Sequence, residues 1–329
     1  MAYEFEELFQ QVKGIAWEEW IPADGRFVMN GSSVKSKLSS VPACQSVAEK
    51  AVIERLSEVY GLEHFEKSGA LYDIKITILK DRVTVTLDTT GDGLHKRGYR
   101  QHSVEAPIKE TLAAALVELS FWNKDRILSD PCCGSGTIPI EAAMIARNIA
   151  PGISRSFVAE EWEAIPERLW REERRAAFEA IDNDCRPKLF GLDINPNAVA
   201  AAKANAELAG VDDCITFAAA DVAAMRTRSQ GGVIVTNPPY GERIGDRGGI
   251  DRIYEAYKRF LAENPTWSLF AVTADKTIER KLGRQADRRR KLYNGRLEVC
   301  YYQFHGQKPE RPLPVAESEN DPTKKGSDR

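Results

Sequence analysis

Apolar and polar residues alternate along the chain in two successive patterns. Over residues 26–88 the pattern predicts a strand at 26–30, a polar loop, a helix at 41–60 and strands at 71–79 and 82–88. Only Lys80-Asp81 separates the last two strands, which predicts a hairpin. A strand, a helix and a hairpin together form a small α+β unit.

From residue 106 onward, apolar strands alternate with helices, as is typical of an α/β fold with a mostly parallel sheet. The predicted helices are 106–120, 138–150, 195–209, 250–263 and 276–282. The predicted strands are 126–130, 188–193, 214–219, 232–236, 267–273, 288–293 and 297–304. Asn294-Gly295 predicts that the last two strands form a hairpin. Residues 162–181, rich in Glu, Arg and Trp, predict an inserted helical pair.

These patterns divide the chain into five segments. Residues 1–25 carry apolar side chains at near-helical spacing, and residues 26–92 form the small α+β domain. A basic linker at 93–105 leads to the α/β domain at 106–306. Residues 307–329 are rich in Pro, Glu, Lys and Asp, which predicts a disordered tail.

The overall composition is that of an ordinary globular chain, with 43% hydrophobic and 29% charged residues. A net charge of −3 gives no global signature of nucleic-acid binding, so any such binding must use local basic patches. No apolar run reaches the roughly 18 residues of a membrane span, and the acidic start does not resemble a signal peptide. We therefore expect a cytoplasmic protein. The six cysteines lack CxxC spacing, so neither a metal site nor disulfides are expected.

The most informative stretch is Asn237-Pro238-Pro239-Tyr240, which follows the apolar strand at 232–236. Two prolines make this turn stiff and extended. The Asn237 side-chain oxygen and the Pro238 carbonyl can then accept both hydrogens of one planar NH2 group, while Tyr240 stacks on the attached ring. The pattern indicates chemistry on an exocyclic amine. The alternative is a proline-rich loop in which the asparagine satisfies its own turn.

A glycine-rich turn follows the first strand of the α/β domain. Gly134 and Gly136 lie between that strand and a helix N-terminus, where backbone N–H groups and the helix dipole favour an anionic group. Pro139 occupies the place of the third glycine of a dinucleotide fingerprint, so a cofactor bearing an amino acid is favoured over a pyrophosphate. Asp130 at the strand tip is positioned to accept from an ammonium group.

Two further aspartates end the next strands of the predicted sheet. Asp193 is placed to bind both hydroxyls of a ribose, and Asp221 to accept from an adenine amino group. Each carboxylate alone is more typical of a helix cap or a surface acid. Their positions at successive strand ends favour the binding interpretation.

Three segments are candidates for contacts with a large substrate. The linker carries Arg97, Tyr99 and Arg100, basic side chains around an aromatic ring that can follow an RNA backbone and stack a base. The cluster at 288–291 is also basic, although charge on an edge strand can equally prevent aggregation. The glycine-rich loop at 241–249 is a candidate lid.

Together these motifs resemble a known family. The run Asp130-Pro-Cys-Cys-Gly-Ser-Gly-Thr137, the two aspartates and Asn237-Pro-Pro-Tyr240 look like the motifs of class I S-adenosylmethionine-dependent methyltransferases that act on exocyclic amines. The linker Lys96-Arg-Gly-Tyr-Arg100 and the run Thr236–Arg243 are similar to those of THUMP-domain RNA guanine-N2 methyltransferases of the bacterial 23S rRNA type.

The resemblance implies a class I, Rossmann-like, seven-stranded sheet with an antiparallel last strand, after a small THUMP-like domain. It implies that S-adenosylmethionine contacts Asp130, Cys132, Gly134, Gly136, Thr137, Asp193, Asp221 and Asn237. It further implies that Asn237, Pro238 and Tyr240 bind a flipped guanine and that Arg243 joins the linker residues in contacting RNA. Residues 1–25 would be the remnant of a ferredoxin-like subdomain, and no metal is required.

Other targets and roles stay open at this point. Guanine-N2 in tRNA, adenine-N6 in DNA and a glutamine amide of a protein present a similar amine, and a non-catalytic protein that binds RNA or the cofactor is a further alternative. The strand, helix and hairpin before residue 90 favour RNA, because DNA enzymes carry separate base-reading domains. The sequence leaves the modified nucleotide and the oligomeric state open.

Overall fold

The computed structural model describes residues 1–102, 107–239 and 247–308. Its first part contains α1 (Phe5–Lys13), β1 (Arg26–Val34), α2 (Val41–Tyr60), β2 (Leu71–Leu79) and β3 (Arg82–Asp88). Strand β2 lies between β1, which is parallel to it, and β3, which is antiparallel. The predicted α+β unit is confirmed, and the two-residue hairpin turn has positive φ at both Lys80 and Asp81.

Strand β1 is longer than predicted. Residues 31–34 were expected to be a loop, but they continue the pairing with β2 up to Val34 opposite Leu79. Glycine and serine have weak strand propensity, so the neighbouring strand outweighs the local preference. Residues 1–25 share one core with this sheet, since Leu8, Val12 and Trp17 are buried in the same cluster as α2.

The second part contains the larger sheet and its helices. In chain order these are α3 (Glu110–Glu118), β4 (Leu128–Asp130), α4 (Thr137–Ala146), α5 (Glu167–Glu179), β5 (Leu189–Asp193), α6 (Pro196–Leu208), β6 (Ile215–Ala219), β7 (Val233–Thr236), α7 (Arg247–Glu263), β8 (Ser268–Thr273), α8 (Ile278–Leu282), β9 (Arg288–Asn294) and β10 (Leu297–Phe304).

Seven strands form the sheet in the order β6-β5-β4-β7-β8-β10-β9. Strand β10 is antiparallel to both neighbours, while the other pairings are parallel. The predicted α/β fold class with an antiparallel last strand is thus confirmed. One hydrophobic cluster lies under α3, α4 and α6, and a second lies under α7 and α8 on the other face.

Several element boundaries differ from the sequence pattern. Helix α3 begins at Glu110, after the proline that was expected inside it, and α7 begins at Arg247 instead of residue 250. The inserted segment contains a single α-helix, α5, preceded by a 3-10 turn at Val158–Glu161, so the predicted helical pair is wrong.

The inserted segment packs against the small sheet of the first part. Trp162 stacks on Tyr72 with ring centroids 4.8 Å apart, and its Nε1 donates to the Leu71 carbonyl at 2.9 Å. The Ala159 N–H donates to the Thr89 carbonyl at 3.2 Å. The 3-10 turn and α5, residues 158–179, therefore form a buttress between the two parts of the chain.

All six cysteines are free thiols, as expected. None of the helices in the described ranges is long and apolar enough to cross a membrane.

Candidate active site

The carboxyl ends of four adjacent parallel strands, β6, β5, β4 and β7, form one edge of the large sheet. Asp221 follows β6, Asp193 ends β5, Asp130 ends β4 and Asn237 follows β7. Because neighbouring strands lie about 4.8 Å apart, Asp193 and Asn237 are separated by roughly 10 Å across the sheet, with the glycine turn of β4 between them. Ligands of open α/β sheets bind at this edge.

The glycine turn between β4 and α4 is tightly packed. Gly134 and Gly136 have φ of 53° and 83°, in the left-handed region that favours glycine. A Cβ on Gly136 would lie 2.9 Å from the Ala202 Cβ and 3.0 Å from the Phe217 ring. Only glycine fits there, and because it has no side chain α4 can lie close to α6. Thr137, predicted to contact the cofactor, is the buried first residue of α4.

Asp193 holds the glycine turn in place. Its Oδ2 accepts from the Gly134 N–H at 2.9 Å, and its Oδ1 accepts from the Asn195 N–H at 2.9 Å. One half-buried carboxylate thus fixes both the turn after β4 and the entry to α6. Asp221 accepts from the Ala223 N–H at 2.8 Å and lies 3.4 Å from the Arg252 guanidinium.

Asp130 carries a buried carboxyl group. Its side chain is 1% exposed, and burial raises its pKa to about 7 although hydrogen bonds from Thr236 and the Cys132 N–H oppose the shift. The nearby charge of Asp193 raises the pKa further. An ammonium group placed beside Asp130 would favour the ionised form, so this acid is suited to bind a cation.

Asn237 follows β7 with its side chain half-buried. Its Oδ1 is buried and has no hydrogen-bond partner within residues 1–102, 107–239 and 247–308. An asparagine that stabilises its own turn would use this oxygen for a backbone N–H, as Asn195 does at 2.9 Å. Pro238 beside it is buried. Tyr240, Arg243 and residues 241–246 of the candidate lid lie outside the described residues, as do residues 309–329 of the predicted tail.

A tyrosine that the sequence did not single out lies next to this edge. The Tyr257 hydroxyl on α7 is 3.3 Å from the Cys132 sulfur and 3.4 Å from the Thr236 hydroxyl. Burial raises the pKa of the Cys132 thiol to about 12, so the sulfur stays protonated at neutral pH and is no nucleophile. Tyr254 and Tyr257, three residues apart on a helix, give only the signal of an apolar face.

The sequence pattern also did not indicate a role for Ser135 or Asn205 near this edge of the sheet. Ser135 is 3% exposed, and its hydroxyl oxygen has no partner in the described part of the chain. Asn205 is fully buried on α6 and donates from Nδ2 to the carbonyls of Ser135, at 3.1 Å, and His102, at 2.7 Å. An isolated asparagine in a helix offers no sequence signal for such a role.

The linker residues are placed differently from the expectation of RNA contacts. Tyr99 is 4% exposed and its hydroxyl donates to Glu141 Oε1 at 2.9 Å, so its ring has no open face for a base. Arg97 is buried with its NH2 group 3.3 Å from Glu141 Oε2, and Arg100 pairs with Glu110. Burial raises the pKa of Glu141, and the Arg97 charge opposes that shift. These side chains anchor the linker to α3 and α4.

Two open cavities lie away from this edge. One, of about 600 Å³, is at the amino ends of the parallel strands and is lined by Arg126, Lys188 and His305 among others. The second, of about 490 Å³, lies beside the linker next to Lys96, Arg100 and Lys109. Neither contains the aspartates or Asn237.

Comparison with known families matches nearly the whole described chain. The family model of the THUMP domain matches residues 2–88, and that of the RMKL-like methyltransferase domain matches residues 97–303. Putative RNA methyltransferase YpsC of Bacillus subtilis is 46% identical over 302 residues, 91% of this chain and 78% of that protein. Ribosomal RNA large subunit methyltransferase K/L of Shewanella pealeana is 33% identical over 319 residues. This match covers 94% of the chain but only 45% of the relative, less than half of its length.

Solved structures show the same likeness. A predicted N6-adenine-specific DNA methylase from Listeria monocytogenes has a TM-score of 0.87 and 44% identity, covering 93% of this chain and 80% of that one. A putative methyltransferase, SMU.472, complexed with SAH has a TM-score of 0.86 and 41% identity, covering 94% of this chain and 82% of that one.

Proposed function

Because the chain belongs to the family of RMKL-like methyltransferases with a THUMP domain, it is an S-adenosylmethionine-dependent RNA methyltransferase, and we propose that it methylates the exocyclic N2 of a guanine in 23S rRNA. The observation that carries the proposal is the buried Asn237 Oδ1, which lacks a partner among the described residues at the substrate edge of the sheet. A buried acceptor without a partner costs about 1–3 kcal/mol, a cost that a substrate amine would remove.

The residues at the strand ends fit S-adenosylmethionine by the chemistry of their side chains. The buried Asp130 carboxyl suits the ammonium of the methionine moiety, and the positive end of the α4 dipole, directly after the glycine turn, suits its carboxylate. Asp193 and Asp221, on the next two strands, suit the ribose hydroxyls and the adenine amino group. Cys132 and Thr137 line the same turn. When bound, the cofactor supplies an electrophilic methyl group.

The chain's own part in the reaction is orientation. Asn237 Oδ1 and the Pro238 carbonyl each accept one hydrogen of the 2-amino group, which directs the nitrogen lone pair out of conjugation with the ring. Tyr240 is proposed to stack on the extruded guanine. Holding reactants in line supplies up to roughly 7–11 kcal/mol in well-oriented systems. Methylation turns the amine into an acidic ammonium group. This group loses its extra proton to water, so no basic side chain is required.

The first part of the chain is proposed to bind RNA. We propose residues 26–92 as its THUMP-like core, with residues 1–25 standing for a ferredoxin-like subdomain, 93–105 as the linker, 106–306 as the catalytic domain and 307–329 as a tail. Support for RNA binding by this part comes from the THUMP family match to residues 2–88, and the shared core of residues 1–25 with α2 favours one folded unit over a separate subdomain. Arg243 stays a proposed RNA contact.

Transfer of a tritiated methyl group to protein-free 23S rRNA, total tRNA and genomic DNA tests the proposal. We expect label in 23S rRNA, recovered as N2-methylguanine after digestion. Label in tRNA alone would keep the chemistry and change the substrate. Label in DNA as N6-methyladenine would favour the activity named for the Listeria structure and contradict the proposal.

A further inference from the structure

The hairpin formed by β9 and β10 extends beyond its neighbour β8 at the carboxyl edge of the sheet. Strand β8 ends at Thr273, which pairs with Cys300, and Cys300 pairs with Lys291. Residues 292–299, termed here the hairpin tip, therefore continue past the end of β8. At about 3.3 Å per residue, the tip rises roughly 10 Å above that strand.

The hairpin tip lies on the substrate side of the site. Thr236, just before Asn237, pairs with Ala271, and Ala271 pairs with Tyr302 on β10. Two strand spacings, about 10 Å, thus separate Asn237 from β10. The aspartates lie on the opposite side of Asn237, since β4, β5 and β6 precede β7 in the sheet. The tip forms a side wall for a substrate, away from the cofactor residues.

The side chains of the hairpin are basic and unusually exposed. Residues 288–298 contain five cations and one acid, although the whole chain has a net charge of −3. Arg289 pairs with Glu279 at 2.7 Å and Lys291 with Glu298 at 2.6 Å. Arg288, Arg290 and Arg296 are exposed and make no ion pair with any described residue.

Two large apolar side chains at the tip are also exposed. Tyr293 is 57% exposed and Leu297 is 48% exposed. Charge along β9 would protect an edge strand from aggregation, but an exposed ring and an exposed leucine at the tip work against that purpose. Cations next to an aromatic ring are the features with which proteins bind single-stranded nucleic acid, through phosphate contacts and base stacking.

We propose that the β9–β10 hairpin binds the RNA strand that flanks the target guanine. Lys291, whose ammonium lies 5.5 Å from the centre of the Tyr293 ring, and Arg296 at the turn contact phosphates, and Tyr293 stacks on a nearby unpaired base. The distance from Asn237 corresponds to a few nucleotides at about 3.4 Å per nucleotide of a stacked strand. This inference rests on the proposed function, since it assigns a contact surface for the same RNA substrate.

Binding of the full chain to a 23S rRNA transcript, measured at a series of salt concentrations, tests the inference. Lys291→Ala combined with Arg296→Ala should weaken binding at least about tenfold at about 150 mM salt and reduce the slope of log Kd against log salt by about 1.4, at about 0.7 for each of the two lost phosphate contacts. Tyr293→Ala should weaken binding at least about fivefold, whereas Tyr293→Phe keeps the ring and should bind as the wild type.

The matched control removes two exposed cations at the amino ends of the parallel strands, Arg228→Ala with Lys188→Ala, which make no ion pair within the described residues, and it should leave binding unchanged. Binding of SAH should be unchanged in all variants, which shows that they fold. Wild-type affinity and salt slope in the hairpin variants would overturn the inference while leaving the proposed function intact. If the wild type itself neither labels nor binds the transcript, both the proposed function and this inference fail.

Discussion

The Asn205 side chain on α6 donates from Nδ2 to the Ser135 carbonyl of the glycine turn at 3.1 Å. The same amide donates to the His102 carbonyl and accepts from the His102 N–H at 3.1 Å. One fully buried side chain therefore joins the end of the linker to the turn that is proposed to bind the cofactor.

Replacing Asn205 by alanine should weaken cofactor binding. The substitution leaves buried backbone groups without partners, which costs about 1–3 kcal/mol for each unsatisfied group. We expect SAH affinity by calorimetry to fall about tenfold. Asn205→Asp keeps the acceptor for the His102 N–H and removes both donors, so the SAH affinity of this variant should fall nearly as far. Unchanged affinity in both variants would show that the glycine turn does not depend on this bond.

Asp130 should make stability depend on pH in an unusual direction for a carboxyl group. Its pKa is raised to about 7 in the folded state from 3.8, so the folded protein favours the neutral acid. The free energy of unfolding therefore falls as the pH rises from about 4 to 7. The total fall is roughly 4 kcal/mol, at about 1.36 kcal/mol for each unit of pKa difference.

Asp130→Asn should therefore raise the melting temperature at pH 8 and change it much less at pH 5, in thermal unfolding without cofactor. The same variant should bind SAH at least about tenfold more weakly at pH 8, because it cannot pair with an ammonium group. A variant that loses stability at pH 8 would contradict the burial argument, and one that binds normally would contradict the cofactor role.

Asp193→Ala should weaken SAH binding at least about tenfold, because it removes the acceptor of both the Gly134 and Asn195 N–H groups. Fluorescence or calorimetric titration measures the effect. Asp212→Asn, an exposed acid that caps no helix, is the matched control and should bind as the wild type. Equal affinities for both variants would place the ribose elsewhere.

Trp162→Ala should loosen the first part of the chain from the catalytic domain. The side chain is 2% exposed and stacks on Tyr72, and truncating a buried tryptophan costs about 3–5 kcal/mol. We expect faster amide exchange in β2 and lower methyl transfer to 23S rRNA, with SAH affinity unchanged. Trp162→Phe keeps the stacked ring and should recover most of the transfer. Equal exchange rates in wild type and the alanine variant would argue against the buttress.

The sheet and the polar strand ends could be predicted because both follow from local pattern. Strands of a parallel sheet are short apolar runs; Asp193 ends one of them, Asn237 comes directly after another, and Asp221 lies two residues beyond a third. Their common edge is a consequence of parallel pairing.

The role of the linker could not be predicted in the same way. Arg97 and Tyr99 look like RNA-binding side chains by composition, but their partner Glu141 lies more than 40 residues later in the chain. Burial of that kind depends on tertiary contacts that neither spacing nor propensity reveals. The same limit applies to Asn205 and Tyr257, whose partners are set by the packing of α6 and α7.

The central claim is that Asn237 aims an exocyclic amine at the methyl group, and Asn237→Ala tests it most directly. The measurement is single-turnover methyl transfer to 23S rRNA, with the product identified by mass spectrometry and Asn123→Ala at the opposite end of β4 as control. We expect N2-methylguanine with wild type and control, and a rate at least about 100-fold lower with Asn237→Ala at unchanged SAH affinity. A rate within twofold of wild type, or a methyl group mapped to a ring nitrogen or a ribose oxygen, would contradict the account.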